Sequence, residues 1–275
     1  RRSDEDIKRK LPSMYHQFKV LAELDITQQP MEVGPTCHYF MGGIRVEAEA
    51  SMSSVQGLFA CGECAAGLHG ANRLGGNSLS DLLVFGNLAG KGAADYAKRL
   101  DSLPKITEDH IRVIIRKSTD ILNREGGKNP YLLHEDLQAN MQANVSIIRN
   151  KEDMEKGIVN IERLREEYKT VKAPGASQFN SGWHEAIALE CLLLTSEAVA
   201  KSALLREESR GAHTREDFPG ESQEWGAYNI IVKKGTNGQM LVEKIERGRP
   251  DPELERIAKS NLEDLEKEVA TEKRQ

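Results

Sequence analysis

Apolar residues recur every three or four positions through much of the chain, and that spacing predicts helices in succession. Thr107 is a residue type that caps helix starts. Behind it Ile111, Ile114, Ile115, Ile121 and Leu122 share a face, and Gly126-Gly127 supplies the stop. A second helix is predicted over roughly 132–149, with Leu137, Met141, Val145 and Ile148. A third covers roughly 152–171, with Met154, Ile158, Ile161, Leu164 and Tyr168, and Pro174-Gly175 end it. A fourth runs from about Trp183 to Glu208. Short connectors make an antiparallel bundle the expected local architecture.

Upstream the pattern changes. Residues 1–35 carry a polar helical spacing, Ser3-Asp4-Glu5-Asp6 followed by Ile7, Leu11, Met14 and Phe18. Residues 36–100 are rich in glycine, and Ser54 to Glu63 read as a turn leading into a short buried strand that stops at Gly62-Glu63. From Ser78 to about Leu100 the spacing is helical again. Gly86, Ala89, Gly90, Ala93 and Ala97 allow close packing, Asp81 suits the positive end of the dipole, and Lys98-Arg99 suit the negative end. Tyr228–Val232 and Met240–Val242 flank Gly-Thr-Asn-Gly and predict a hairpin. The charged tail from Asp251 reads as a solvated helix or disorder.

Composition narrows the functional classes. The 275 residues carry 38 Lys+Arg against 43 Asp+Glu, a net charge of −5 without a basic stripe, so nucleic acid is a poor partner. No apolar run approaches the roughly 20 residues of a membrane span, so membrane association is expected only through partner chains. Four scattered cysteines do not make a disulfide framework and suggest a reducing compartment.

Candidate chemistry gathers in the glycine-rich stretch. The run His69-Gly70-Ala71-Asn72-Arg73-Leu74-Gly75-Gly76-Asn77-Ser78 places a permanent cation among glycines, just before a helix start. A guanidinium matches a carboxylate with two parallel bonds, and a helix N-terminus favours negative charge, so the run reads as an anion-binding device. Arg73 instead pinning a loop carbonyl is the alternative. His38 lies in Pro35-Thr36-Cys37-His38-Tyr39-Phe40-Met41-Gly42-Gly43, and both a structural and a ligand-facing histidine fit there. Glu63, at the predicted strand end, suits sugar hydroxyls or an edge ion pair. Cys61 and Cys64 have a Cys-x-x-Cys spacing but no second pair, and read as small packing residues rather than as metal ligands. Glu208 to Pro219 is polar and turn-forming, and reads as a loop knitting domains together.

These motifs resemble the flavoprotein subunits of succinate dehydrogenase and fumarate reductase. The resemblance spans about residues 30–220. It rests on Pro35-Thr36-Cys37-His38-Tyr39, Met41-Gly42-Gly43-Ile44, Gly57 to Glu63, His69 to Leu79 and Glu208 to Pro219, in the family's order. It implies an α/β plus α fold: the C-terminal part of a Rossmann-like FAD-binding fold, then an antiparallel helical bundle and a small β-containing tail. Residues 1–35 would end a capping domain, 36–100 return to the FAD domain, 101–215 form the bundle and 216–275 the tail. FAD is the implied cofactor. His38 and Arg73 would bind one end of a C4 dicarboxylate, Glu63 the ribityl or ribose hydroxyls, and Asn77, Ser78 and Leu79 would face the flavin at the helix start. An iron–sulfur subunit is the implied partner, with membrane-anchor subunits behind it. That places the protein peripherally on the cytoplasmic side of a bacterial plasma membrane.

Two departures qualify the resemblance. No G-x-G-x-x-G is present, and no position corresponds to the family's flavin-linking histidine or proton-transferring arginine, so no catalytic residue is assigned. The expectation is a C-terminal portion of a longer or split flavoprotein, inactive alone. The rival readings are an L-aspartate oxidase-type flavoenzyme, which shares the His-Gly-Ala-Asn-Arg-Leu run, and a non-catalytic remnant acting as an interaction module. Gly75-Gly76-Asn77-Ser78 and Met41-Gly42-Gly43 favour the dicarboxylate branch, while Asp81 keeps an amine-bearing substrate open.

Overall fold

A computed structural model describes residues 3–34, 37–261 and 265. The chain divides into two compact units, Arg1–His38 and Tyr39–Gln275. In the first, α1 (Asp4–Lys10) is capped by Ser3, whose hydroxyl accepts from the Asp6 N–H. The acidic first turn and the basic last turn both suit the helix dipole. Pro12 then opens α2 (Pro12–Leu21), where its missing N–H costs nothing.

The second unit is built around helices. They are α3 (Asn77–Lys98), α4 (Glu108–Asn123), α5 (Pro130–Asn144), α6 (Lys151–Tyr168) and α7 (Ser181–Leu205). Thr107 caps α4 as its sequence predicts, accepting from His110 N–H at 3.3 Å. Asn129, Asn150 and Asn180 do the same for α5, α6 and α7. Helices α5, α6 and α7 pack on one another and α4 packs on α7. Their shared core holds Leu133, Leu137, Ile161, Leu164, Val171, Leu189 and Leu193. The buried residues of α7, Ala186, Leu189, Leu193, Glu197, Ala200 and Ala203, recur at helical spacing and form one face, while Ile187, Leu192 and Leu194 are exposed on the rest of the helix. The buried Glu197 on α7 is paired with Arg165 and with Lys201.

The second predicted helix is shorter than its spacing implies. Val145 leaves helical geometry (φ −134°, ψ 18°). Ile148–Arg149 instead form β1, parallel to β2 (Thr214–Arg215). After the short α8 (Gln223–Gly226), the predicted hairpin is present as β3 (Tyr228–Lys234) against β4 (Met240–Glu246), with Val232 opposite Val242. Helix α9 (Pro252–Lys259) follows, with no buried residue. Of the charged tail, residues 262–264 and 266–275 lie outside the described residues.

The buried strand expected at 54–63 is absent. Met52 bridges Phe59 and Val46 bridges Ser53 as isolated pairs. Gly57 (φ 82°) and Gly62 (φ 72°) turn the backbone out of extended geometry at both ends, leaving too few residues between them for a ladder. Glu63 therefore sits on a single 3₁₀ turn, Gly62–Cys64, and not at a strand end. Close packing of the small residues of α3 is realised only in part: Ala89 is buried, whereas a Cβ at Gly86 or Gly90 would meet nothing within 4 Å, and the close approach is at Gly92 instead. A Cβ at Gly92 would lie 2.6 Å from the Ala50 carbonyl oxygen. Phe59 meets Tyr96 of α3 edge-on, at 6.1 Å between ring centroids.

Candidate functional site

Close backbone approaches assemble the glycine-rich stretch. At Gly43 (φ 137°) a Cβ would lie 2.2 Å from the Cys64 carbonyl oxygen, so only glycine fits. The next residue, Ile44, donates its N–H to that same oxygen at 2.7 Å. The Phe40 N–H donates to Glu63 Oε1 at 2.9 Å. A Cβ at Gly62 would meet the Leu82 side chain of α3 at 2.6 Å. Glu63 is thus held by the segment following His38 and carried on a turn that packs against α3. It is exposed, and its one described bond uses a single carboxylate oxygen.

Arg73 stands just before α3. Its guanidinium carbon lies 4.8 Å from the centre of the Tyr39 ring, a cation–π stack. Nη1 donates to the Leu74 carbonyl at 3.1 Å. Nε is buried and has no hydrogen-bond partner among the described residues. The carbonyl-pinning alternative is therefore met in part, and it leaves most of the fork's donors uncommitted. Beneath the arginine, Tyr39 Oη donates to Asp81 Oδ2 at 3.2 Å. His69 Nε2 lies 3.3 Å from the same oxygen. The Tyr39 and His69 rings meet edge to face at 5.3 Å. Burial, then the Asp81 hydrogen bond, raise the Tyr39 pKa, so the phenol remains a donor.

Asp81, expected to serve the positive end of the helix dipole, lies beyond the first turn of α3, which begins at Asn77. It is buried and engaged by two donors. Sequence reasoning missed Tyr39 and His69 as a pair with it. All three lie within motifs visible in the sequence, but at separations that no helical or strand period links.

The helix start behind Arg73 is open. Gly76 is its N-cap in the left-handed region (φ 84°, ψ −21°), and no side chain caps the first turn. A Cβ at Gly70, Gly75 or Gly76 would meet nothing within 4 Å. Asn77 and Leu79 are exposed and Ser78 is half-buried. Arg73, Glu63, Asn77, Ser78 and Leu79 all belong to the second unit, whereas His38 is an exposed residue of the first.

The loop at 206–222 reaches the arginine run from the far side. The Ala212 N–H donates to the Ala71 carbonyl at 2.9 Å. Gly211 (φ 59°) would place a Cβ 2.3 Å from that oxygen. Buried ion pairs hold the loop. Glu208 is 1% exposed, with Oε1 accepting from Arg206 and from Arg210 Nε at 2.9 Å. Its Oε2 accepts from Arg210 Nη2 at 3.1 Å and from the Ser222 N–H at 2.8 Å. Burial opposes its charge, but the Arg210, Ser222 and Arg206 bonds outweigh it and hold the carboxyl down to about 2. Arg215 is equally buried. It donates to Asp217 through Nε at 2.7 Å and to the Ala203, Leu204 and Arg206 carbonyls through Nη1. The domain-knitting role expected of this segment has a specific form: it closes the end of α7 and clamps Ala71, two residues before Arg73.

The residues present fit a flavin dinucleotide. An uncapped helix start offers N–H groups to an anionic ring edge, and the glycines leave room for a flat ligand. Glu63, on the turn packed against the same helix, offers a carboxylate oxygen to hydroxyls.

Comparison with known proteins is consistent with that fit. Residues 134–271 match the family described as fumarate reductase flavoprotein C-term. Residues 2–79 match the family described as FAD binding domain. Among curated relatives, a fumarate reductase (CoM/CoB) chain of Methanothermobacter marburgensis is 40% identical over 234 residues, 84% of this chain and 41% of that protein. The succinate dehydrogenase flavoprotein subunit of Rickettsia bellii is 36% identical over 240 residues, 83% of this chain and 40% of that subunit. Among solved structures, Mycobacterium smegmatis Sdh1 in complex with UQ1 aligns with a TM-score of 0.83 at 45% identity. It covers 97% of this chain and 45% of that one. The chain thus spans about two fifths of the length of the curated relatives it matches.

Proposed function

Because this chain belongs to the succinate dehydrogenase/fumarate reductase flavoprotein family, with FAD as the cofactor of its matched domain, we propose that its residues build the dicarboxylate end of a site that interconverts succinate and fumarate. The observation that carries the reading is Arg73. It is a stacked guanidinium whose buried Nε has no partner among the described residues, standing four residues before an uncapped helix start. A dicarboxylate laid against it satisfies the free donors bidentately while its carbons lie toward the helix start. His38 is assigned to the same substrate carboxylate. Glu63 is assigned to FAD hydroxyls, and the Asn77–Leu79 backbone to the pyrimidine end of the flavin.

When bound, FAD supplies the acceptor for hydride from one substrate carbon, while the adjacent carbon loses a proton. Arg73 and His38 would hold the carboxylate so that negative charge developing toward it is stabilised. The uncapped α3 terminus would favour negative charge at the ring edge it faces. No residue of this sequence is assigned the proton transfer, and we infer that these residues do not turn over succinate alone. Electrons would pass to an iron–sulfur partner, and membrane attachment on the cytoplasmic side would come through further subunits. No described helix is long and apolar enough to cross a membrane.

Asp81 weighs against an amino-acid substrate. The carboxylate that an amine-bearing substrate would need is buried and engaged by Tyr39 and His69. The test is anaerobic addition of succinate, then of L-aspartate, to the assembled FAD-loaded protein, following flavin absorbance. Bleaching by succinate with fumarate as product is expected. Bleaching by aspartate alone would assign the site to the oxidase branch, and a protein that never takes up flavin would make it an interaction module.

A further inference from the structure

We propose that Asp81, acting through Tyr39 and His69, is a positioning residue that fixes the Arg73 guanidinium in register with the start of α3. The proposal rests on the reading of Arg73 as the dicarboxylate ligand and adds what aims it. A carboxylate that is 4% exposed must be satisfied by donors. The described donors are the Tyr39 hydroxyl at 3.2 Å and His69 Nε2 at 3.3 Å, both on Oδ2.

Each bond fixes a ring. Anchored at its hydroxyl and abutted edge-on by His69, the Tyr39 ring has one orientation, and its face carries the guanidinium at 4.8 Å. Among the described residues, the other hydrogen bond of the Arg73 side chain runs from Nη1 to the Leu74 carbonyl, its own neighbour, which by itself does not fix where the fork points. The aromatic face supplies that constraint. Asp81 belongs to the first turns of α3, the helix whose uncapped start is assigned to the flavin. One carboxylate thus ties the substrate cation to the cofactor helix, which hydride transfer requires because it tolerates little misplacement between the two ligands.

The test is ¹⁵N-edited NMR of the Arg73 Nε–H in the assembled FAD-loaded protein, assigned by its loss in Arg73→Lys. It is paired with succinate affinity read from the flavin spectrum. Asp81→Asn weakens both bonds, Tyr39→Phe removes one of them, and Tyr39→Leu removes the ring face. All three are expected to shift or broaden the Arg73 signal and to raise the succinate Kd by about tenfold. The exposed Asp95→Asn on the same helix should change neither. An unmoved Arg73 signal in Tyr39→Phe and Tyr39→Leu overturns the proposal, and those variants decide it even if Asp81→Asn fails to fold. A moved signal together with a succinate Kd indifferent to Arg73→Lys upholds the positioning and removes the dicarboxylate reading beneath it.

Discussion

Glu208→Gln tests how the arginine run is held in place. Glu208 is almost fully buried, and its carboxylate accepts from two arginines and a backbone N–H. Those bonds hold its pKa at about 2 against an ordinary 4.5. At about 1.4 kcal/mol per tenfold, a difference of that size corresponds to about 3 kcal/mol of stability carried by the ionised form. Because the folded pKa is depressed, that stability is complete above the unfolded value of 4.5 and is lost as pH falls toward about 2. Glutamine keeps the shape and cannot ionise, so the pH-dependent part of the wild-type advantage should follow that window. The assay is urea unfolding at pH 7, 4.5, 3.5 and 2.5, followed by the fluorescence of Trp225, whose carbonyl accepts from Arg206 at 3.2 Å. Asp217, also held at about 2, titrates in both proteins and cancels in the difference. The expected gap is about 3 kcal/mol at pH 7, shrinking steadily below pH 4.5. A gap of constant size down to pH 2.5 would refute the reasoning.

Two further substitutions separate the loop from the cofactor site. Gly211→Ala places a Cβ 2.3 Å from the Ala71 carbonyl at a φ of 59°. It should cost about 2 kcal/mol in urea unfolding and weaken succinate binding while FAD stays bound; unchanged succinate affinity would show that the loop does not set Arg73. Glu63→Gln keeps an acceptor for the Phe40 N–H but loses the charge, and FAD affinity measured by flavin fluorescence should fall about tenfold. An unchanged FAD affinity would remove Glu63 from the cofactor site.

The helices were legible because packing and caps both write themselves into sequence. Thr107 before a spaced isoleucine run gave α4, and the Met154–Leu164 spacing gave α6, both within a few residues of their observed spans. Failures came where the decisive contact is non-local. Val145 to Arg149 continue a helical spacing, yet Arg149 pairs with Arg215, 66 positions away. Leu58-Phe59-Ala60 read as a strand, but φ values of 82° at Gly57 and 72° at Gly62 allow only an isolated bridge. The site divides in the same way. Arg73 among its glycines is conspicuous alone, whereas Tyr39, His69 and Asp81 acquire meaning only when the fold brings one oxygen within reach of two rings.

The central claim is that Arg73 holds a dicarboxylate beside the flavin. It is tested most directly by titrating succinate into the oxidised, assembled FAD-loaded protein under anaerobic conditions, with Arg73→Gln alongside. The claim predicts that succinate perturbs and then bleaches the flavin spectrum of the wild type, while Arg73→Gln keeps its flavin and loses the response at least a hundredfold in succinate concentration, about 3 kcal/mol for a bidentate charged pair. Equal responses from the two proteins would contradict it.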